Sequence, residues 1–168
     1  MKRTDIRKIV VLGLLIAIQV ILSRFLSINA WNVKIGLGFV PIVIAAILYG
    51  PILAGITYAL SDILGAILFP IGPYFPGFTV TALMSGILFG LLLHKTQSFG
   101  RILSTVLINQ LVLGLVVNTF WISLLNGVPF SGLVVTRIVQ CIIMLVVEFS
   151  VITLLLQSLN KLGKEQLV

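Results

Sequence analysis

Charged and reactive side chains are scarce in this chain of 168 residues. Only 9% of its residues are charged, and it has 4 acidic residues, 1 histidine and 1 cysteine. A single cysteine excludes an intramolecular disulfide and a metal cluster held by several thiolates, and we interpret Cys141 as a small apolar packing residue. We expect no cofactor and no metal, because the usual ligands and catalytic bases are almost missing.

What the chain has in excess is apolar surface, with 60% hydrophobic residues and a mean hydropathy of +1.26. This composition lies outside the range of soluble domains and indicates an integral membrane protein. Since a helix needs about 20 residues to cross a bilayer, the length allows about six spans and no sizeable soluble domain. We therefore expect one transmembrane domain over residues 1–168 in the cell membrane. The basic start MKRTDIRK precedes an apolar segment too long for a cleavable signal, so the first span is expected to remain.

Glycine and proline divide the apolar sequence into six predicted helices. The breaks place them at about 6–26, 38–49, 52–69, 77–94, 101–125 and 132–159. The second is short for a full crossing, so we expect a tilted or partly re-entrant element there. The sequence thus predicts an all-α bundle of six transmembrane helices.

The cations predict the orientation of this bundle. With six spans both termini share a side, and that side carries eight of the Lys and Arg residues: Lys2, Arg3, Arg7, Lys8, Lys95, Arg101, Lys161 and Lys164. The positive-inside rule makes this side the cytoplasm. The net charge of +7 is then explained by topology and anionic headgroups rather than by nucleic acid. His94, in the same cytoplasmic segment, is interpreted as a solvated loop residue.

Three cations, Arg24, Lys34 and Arg137, fall instead in the outer half of the predicted bundle. One such residue could snorkel to external headgroups. Three of them, on a side otherwise almost free of charge, favour a shared anionic partner, and a carboxylate suits an Arg fork best.

Three predicted helices carry polar stripes at helical spacing, which should face the bundle interior because intramembrane polar groups are costly in lipid. The stripes are Tyr58, Asp62, Gly65 and Phe69; Gln110, Gly114, Asn118 and Trp121; and Arg137, Gln140, Met144 and Glu148. Hydrogen bonding between helices is the alternative, and it stays open above all for Gln110 and Glu148. Trp121 could also be an interfacial residue.

The stretch FPIGPYFPGFT, at residues 69–79, can be neither helix nor strand, because its three prolines and two glycines forbid regular structure. Irregular backbone at membrane depth persists where it lines a cavity. We expect it to form the lid and one wall of an outward-facing site, opposite Lys34 and the segment KIGLGF. Tyr74, Phe75 and Trp121 would hold a flat ring, and Asp62 would accept hydrogen bonds from its nitrogens. These features predict an aromatic heterocycle with a carboxylate tail as ligand.

The sequence has no GxxxxGK[ST] phosphate loop, so uphill transport would need partner subunits. In the first predicted helix, GLLIA places Gly13 and Ala17 four residues apart. This small-residue face allows close approach of another helix. Packing within the bundle is the alternative.

Together, the basic N-terminus, the Gly13 and Ala17 face, KIGLGFVPI and SDILGAILFPIGPYFPGFT resemble the substrate-binding S components of energy-coupling factor (ECF) vitamin transporters. The last run is similar, more narrowly, to the folate-specific S components. The resemblance covers nearly the whole chain. It implies a six-helix subunit that captures folate outside, associates through its first helix with a transmembrane coupling subunit and two ABC ATPases, and topples to release the vitamin. One departure is Gly13, where alanine is more usual, although the residue stays small.

Three other functions remain open. The charges alone would suit another vitamin or precursor with an aromatic carboxylate. A small membrane enzyme acting on lipid headgroups would need a nucleophile and base or clustered carboxylates, which the sequence does not offer. A purely structural subunit would have no use for Asp62 and the proline-rich loop.

Overall fold

The computed structural model describes residues 3–30 and 33–165, so Lys2 lies outside the described part. The elements are α1 (Arg3–Arg24), β1 (Ser27–Ala30), β2 (Val33–Gly36), α2 (Phe39–Leu68), α3 (Pro76–Leu93), α4 (Phe99–Leu107), a π-helical segment (Ile108–Val117), α5 (Asn118–Asn126) and α6 (Phe130–Glu165). The segments from Phe99 to Asn126 form one rod, and the described residues contain five helices long and apolar enough to cross a membrane. The expected all-helical membrane fold is confirmed at this level.

The long helix α2 reverses direction at Gly50. Gly50 has φ 82° and ψ −173°, and Pro51 follows it. Both ends of α2 lie beside the end of α1: a Cβ on Gly38 would lie 3.1 Å from the Ser23 Cβ, and one on Gly65 would lie 2.8 Å from the Arg24 Nε. A straight helix of this length would span about 45 Å. Element α2 therefore consists of two helical segments, 39–49 and 51–68, divided where the sequence predicts a helix boundary.

His94 contacts this reversal, which the interpretation as a solvated loop residue did not foresee. Its side chain is exposed, but its Nδ1 lies 2.9 Å from the Ile47 carbonyl oxygen and 3.2 Å from that of Ala46. Because Pro51 has no N–H, it cannot donate to the carbonyl four residues earlier, which is that of Ile47. His94 donates there instead and ties the end of α3 to the reversal.

The segment 51–68 packs against α3 with their backbones almost in contact. A Cβ on Gly86 would lie 2.6 Å from the Ala54 carbonyl oxygen, and a Cβ on Gly90 would collide with Pro51. Small residues allow such close approach, which supplies van der Waals contact where lipid gives no hydrophobic driving force. The proline-rich loop, residues 69–75, is thereby anchored between two closely packed helices. The expectation that all of 69–79 is irregular was wrong for residues 76–79, which form the first turn of α3, because proline is tolerated at the first position of a helix.

A small antiparallel hairpin, β1 and β2, lies at the opposite end of the bundle from His94. Ser27 pairs with Gly36 and Ile28 with Ile35. The sequence predicted only a loop here. Gln140 of α6 donates from its Nε2 to the Lys34 carbonyl oxygen over 2.8 Å, which holds β2 against the bundle. We call this the hairpin end, and the other the His94 end.

The apolar core is concentrated toward the His94 end. Its fully buried members include Ala46, Phe89, Leu93, Val106 and Ile152. These side chains close the bundle between α2, α3, α4 and α6. Toward the hairpin end the lining becomes polar, and a cavity opens.

Candidate substrate-binding cavity

A cavity of about 760 Å³ lies among α1, β2, α2, the proline-rich loop, α3, the rod from Phe99 to Asn126 and α6. Its volume falls within the range of sites that enclose small molecules. Every element that the sequence marked with a polar stripe contributes to its wall.

Eight of the nine substrate-binding residues predicted from the sequence line this cavity: Arg24, Lys34, Asp62, Tyr74, Phe75, Asn118, Arg137 and Gln140. Trp121 is the exception. Its ring lies 5.6 Å from that of Phe75, and its Nε1–H donates to the Thr81 Oγ1 over 3.1 Å. Trp121 thus supports the aromatic wall from behind, because residues 122 and 125, rather than 121, face the cavity after Asn118.

Near the hairpin end, four side chains form a connected group that we call the rim cluster. The Arg24 Nη2 lies 3.9 Å from the Asp62 Oδ1. Thr79 donates from its Oγ1 to the Asp62 Oδ2 over 2.8 Å, and the Tyr74 hydroxyl lies 3.1 Å from the same Thr79 oxygen. Asp62 therefore has a cation on one oxygen and a hydroxyl on the other. Its charge is compensated within the protein, as an acid in a membrane requires.

Thr79 was not predicted as a site residue. It lies in the first turn of α3, directly after the proline-rich loop. The sequence feature that could have identified Thr79 is its position at the end of the stretch that was already predicted to form the cavity wall. Its bond to Asp62 joins residues 17 positions apart, a distance over which helical periodicity carries no information.

Lys34 is the cavity-lining cation outside the helices. The pKa of its amine is lowered to about 8, mainly by burial and also by the Arg24 guanidinium, while the Asp62 carboxylate acts in the opposite direction. The residue is exposed and lines the open cavity. Lys34 is charged near neutral pH and loses its charge in the mildly alkaline range.

Arg137 is held in place by the π-helical segment. It is buried, and its Nη2 donates to the Gly114 carbonyl oxygen over 3.1 Å. A π-helix bonds residues five apart and is common at functional sites. The anchored guanidinium lines the cavity together with Gln140, one turn along α6.

At the deepest part of the cavity, which we call the floor, lies Glu148. It is 3% exposed. The Asn109 Nδ2 lies 3.1 Å from its Oε1 and 3.2 Å from its Oε2, and the Gln110 side chain also contacts it. All four members of the predicted α6 stripe line the cavity. Asn109 was missed, because the wide π-helical turn brings both Asn109 and Gln110 to the wall, which an α-helical stripe does not predict.

Several buried polar atoms of the lining have no hydrogen-bond partner within the described part of the chain: Gln19 Oε1, Arg24 Nε, Asn118 Oδ1 and Gln140 Oε1. Buried polar atoms are normally satisfied, so these atoms mark positions where a bound molecule can bond. Gln19 was also missed, although Gln19 and Ser23 lie one turn apart on α1 and both face the cavity.

Gly13 and Ala17 lie away from the cavity, on the exposed side of α1. They line a shallow apolar groove whose other residues are Ile16, Val20, Ile21, Leu64, Leu68 and Phe69. A Cβ added to Gly13 would meet nothing within 4 Å. The groove is therefore open to the surroundings of the bundle.

Comparisons of the sequence and of the structure with known proteins agree on one family. Residues 7–158 match the family model described as ECF transporter, substrate-specific component. The chain is 37% identical over 153 residues to the folate transporter FolT of Clostridium novyi (strain NT), covering 90% of this chain and 88% of that protein. It is 26% identical over 163 residues to FolT of Leuconostoc mesenteroides subsp. mesenteroides, covering 93% and 88%. The crystal structure of FolT bound with folic acid superposes with a TM-score of 0.81 at 30% identity, covering 85% of this chain and 88% of that one.

Proposed function

The chain belongs to the family of ECF transporter substrate-specific components, and from that premise we propose that it binds folate and passes it to partner subunits for import. It is a multi-pass membrane protein and not an enzyme. The observation that carries the proposal is the cavity, which combines three cations, an aromatic wall and unpartnered polar atoms in about 760 Å³. Its likeness to a FolT structure bound with folic acid supports the same ligand.

We place the hairpin end outside the cell, with six helices crossing the membrane as one domain over residues 1–168 and both termini in the cytoplasm. The reversal of α2 at Gly50 supports this topology, because it divides α2 into two segments, 39–49 and 51–68, that run in opposite directions. The first segment, about 16 Å long, is the short element that the sequence predicts to be tilted or partly re-entrant. The positive-inside rule supports the orientation, since Arg7, Lys8, Lys95 and Arg101 fall on the His94 side.

Within the cavity, the glutamate tail of folate faces the cations. Arg24, Lys34 and Arg137 supply the positive charge, and an Arg guanidinium holds a carboxylate through two parallel bonds. Tyr74 and Phe75, with Trp121 behind them, pack against the aromatic part of the ligand. Asn118 and Gln140 offer amide oxygens that have no hydrogen-bond partner among the described residues. Asp62 belongs to the same site and holds Arg24 and the start of α3 in position.

For transport, the proposed partners are a transmembrane coupling subunit and two ABC ATPases. The groove at Gly13 and Ala17 is the proposed contact with the coupling subunit, since small residues there leave room for another helix. This chain contributes the binding step, because its sequence has no phosphate loop.

The test is to purify the chain alone, titrate it with folate and follow the near-ultraviolet absorbance of the bound pterin. We expect one folate per monomer and no accumulation of folate in proteoliposomes. Uptake of folate by the chain without partners would refute the proposal that this chain only binds folate and that partner subunits drive its transport. Tight binding of a different aromatic carboxylate, with folate excluded, would favour a transporter for another vitamin, which the cavity charges alone would also suit.

A further inference from the structure

We propose that Glu148, at the floor of the cavity, reads the ring of the ligand by accepting hydrogen bonds from the 2-amino group and the adjacent ring N–H of the pterin. This inference rests on the proposed function and assigns the recognition of the ring to one residue. Asp62, the acid that the sequence favoured for this role, is then a residue of the rim.

The surroundings of Glu148 leave its charge without a counterion. Its oxygens receive the Asn109 amide at 3.1 and 3.2 Å, and among the described residues no cationic nitrogen lies within 4.0 Å of it. A carboxylate has about four lone-pair positions, so acceptor capacity remains after its contacts with Asn109 and Gln110. An intramembrane acid that faces a cavity without a cation is expected to meet its partner in the ligand.

Asp62 differs in this respect. Its Oδ1 faces Arg24 at 3.9 Å and its Oδ2 accepts from Thr79 at 2.8 Å. A ligand that took both oxygens would have to displace the threonine and compete with the guanidinium. Within the described part of the chain, Asp62 and Glu148 are the acids that line the cavity, and Glu148 is the one without a cation beside it.

The position of Glu148 also fits the polarity of folate. Arg137 and Glu148 lie on the same face of α6, 11 residues apart, which corresponds to about 16 Å along the helix. The cations that line the cavity are Arg24, Lys34 and Arg137, and Glu148 lies deeper than they do. Folate carries its two carboxylates and the donor edge of its pterin at opposite ends. A molecule with its tail at the rim therefore brings its donor edge to the floor.

The chemistry of the pair is specific. The 2-amino group and the neighbouring ring N–H point the same way, so one carboxylate accepts both in two parallel bonds, as it does from an Arg fork. A ligand without the 2-amino group forms one of these bonds, and a ligand without the pterin forms none. The loss of affinity caused by a change at Glu148 must therefore depend on which of these ring groups the ligand carries.

The test is calorimetric titration of wild type, Glu148→Gln and Asp62→Asn with three ligands: folate, its 2-desamino analogue and p-aminobenzoylglutamate, which has the tail but no pterin. For Glu148→Gln we expect at least a tenfold loss of affinity for folate, a smaller loss for the desamino analogue, and unchanged binding of p-aminobenzoylglutamate. Unchanged binding of the tail fragment also shows that the variant cavity is folded. The control Asp62→Asn should weaken folate and the desamino analogue by equal factors.

A second variant, Glu148→Asp, covers the case in which Glu148→Gln does not fold. It keeps the charge but withdraws the carboxylate by one methylene, so folate should bind more weakly and still be preferred over the desamino analogue. Equal losses for both ligands in Glu148→Gln, or a ring-dependent loss in Asp62→Asn, would overturn the assignment. If the wild-type chain bound the desamino analogue as tightly as folate, the assignment of Glu148 would also be overturned, but the proposed function would stand. If the wild-type chain did not bind folate at all, the proposed function itself would be refuted.

Discussion

The rim cluster and the floor each contain one acid, and the protein treats the two acids differently. At the rim, Asp62 has Arg24 and Thr79 as partners and is itself 23% exposed. At the floor, Glu148 is almost fully buried and has neutral amides around it. The difference indicates that the protein itself supplies the partners of the acid at the rim, whereas the acid at the floor receives its partner from the bound ligand.

The two regions also differ in how they are held. The rim joins α1, α2, the proline-rich loop and α3 through side chains that meet near the hairpin end. The floor joins α6 to the π-helical segment through Glu148 and Asn109. Changes at the rim should therefore affect stability and access together, whereas changes at the floor should affect the choice of ligand.

The largest effect should come from removing the cation of the rim. Arg24→Met leaves Asp62 in the membrane without its counterion. Removing one partner of a buried ion pair typically costs about 3 kcal/mol or more of folding free energy. The cost should be smaller here, because both side chains keep some solvent contact. We expect reduced thermal stability and a large loss of folate affinity. The double variant Arg24→Met with Asp62→Asn should recover much of the stability, measured by thermal unfolding in detergent. Additive losses in the double variant would show that the two residues are independent.

A smaller effect, confined to the tail, is expected for Arg137→Ala. A charge-assisted hydrogen bond contributes about 1.5 to 3 kcal/mol, so folate affinity should fall by roughly ten- to a hundredfold. A bare pterin, which has no carboxylate, should lose much less. Titrations with both ligands give the comparison, and an equal loss for both would mean that Arg137 serves to hold α6 against the Gly114 carbonyl rather than the ligand.

The pH dependence of binding should come from Lys34. In the free protein its pKa is about 8, and a bound carboxylate would raise it, so binding favours the protonated form. Folate affinity should therefore be fully present below pH 8 and fall as the pH rises through 8, by at most about tenfold per pH unit. Lys34→Arg stays charged over this range and should show no such fall. A wild-type affinity that is constant from pH 7 to 9.5 would contradict the role of Lys34.

The smallest effect on the cavity is expected from the groove on α1. Gly13→Leu and Ala17→Leu should leave folate affinity near that of wild type, because both residues lie outside the cavity. Transport by the full complex should be lost, since added bulk would keep a partner helix away. Exposed Leu14→Ala on the same helix is a control that adds no bulk. Normal transport by the two leucine variants would show that the groove is not part of the surface that contacts the coupling subunit.

Much of the fold could be predicted from local sequence. Apolar length predicted membrane helices, and Gly50 with Pro51 marked the reversal of α2, because a missing N–H and a positive φ act on the chain where they stand. On α6 the spacing of Arg137, Gln140 and Glu148 predicted a single lining face correctly, since that helix is regular from Phe130 to Glu165. The family resemblance rested on several features, of which the run SDILGAILFPIGPYFPGFT was the most specific, and it was confirmed by the family match.

The partners of individual side chains were decided only by the tertiary structure. The bond between Thr79 and Asp62, the support of Phe75 by Trp121 and the contact of His94 with Ile47 all join residues on different elements. The π-helical turn that brings Asn109 to Glu148 has no periodic signal of its own. The sequence by itself determined which residues are apolar, polar or rigid along each helix, because those properties act over one or two turns. Which acid is compensated and which stays available depended on how the helices pack, because electrostatic pairing is set by distances in space.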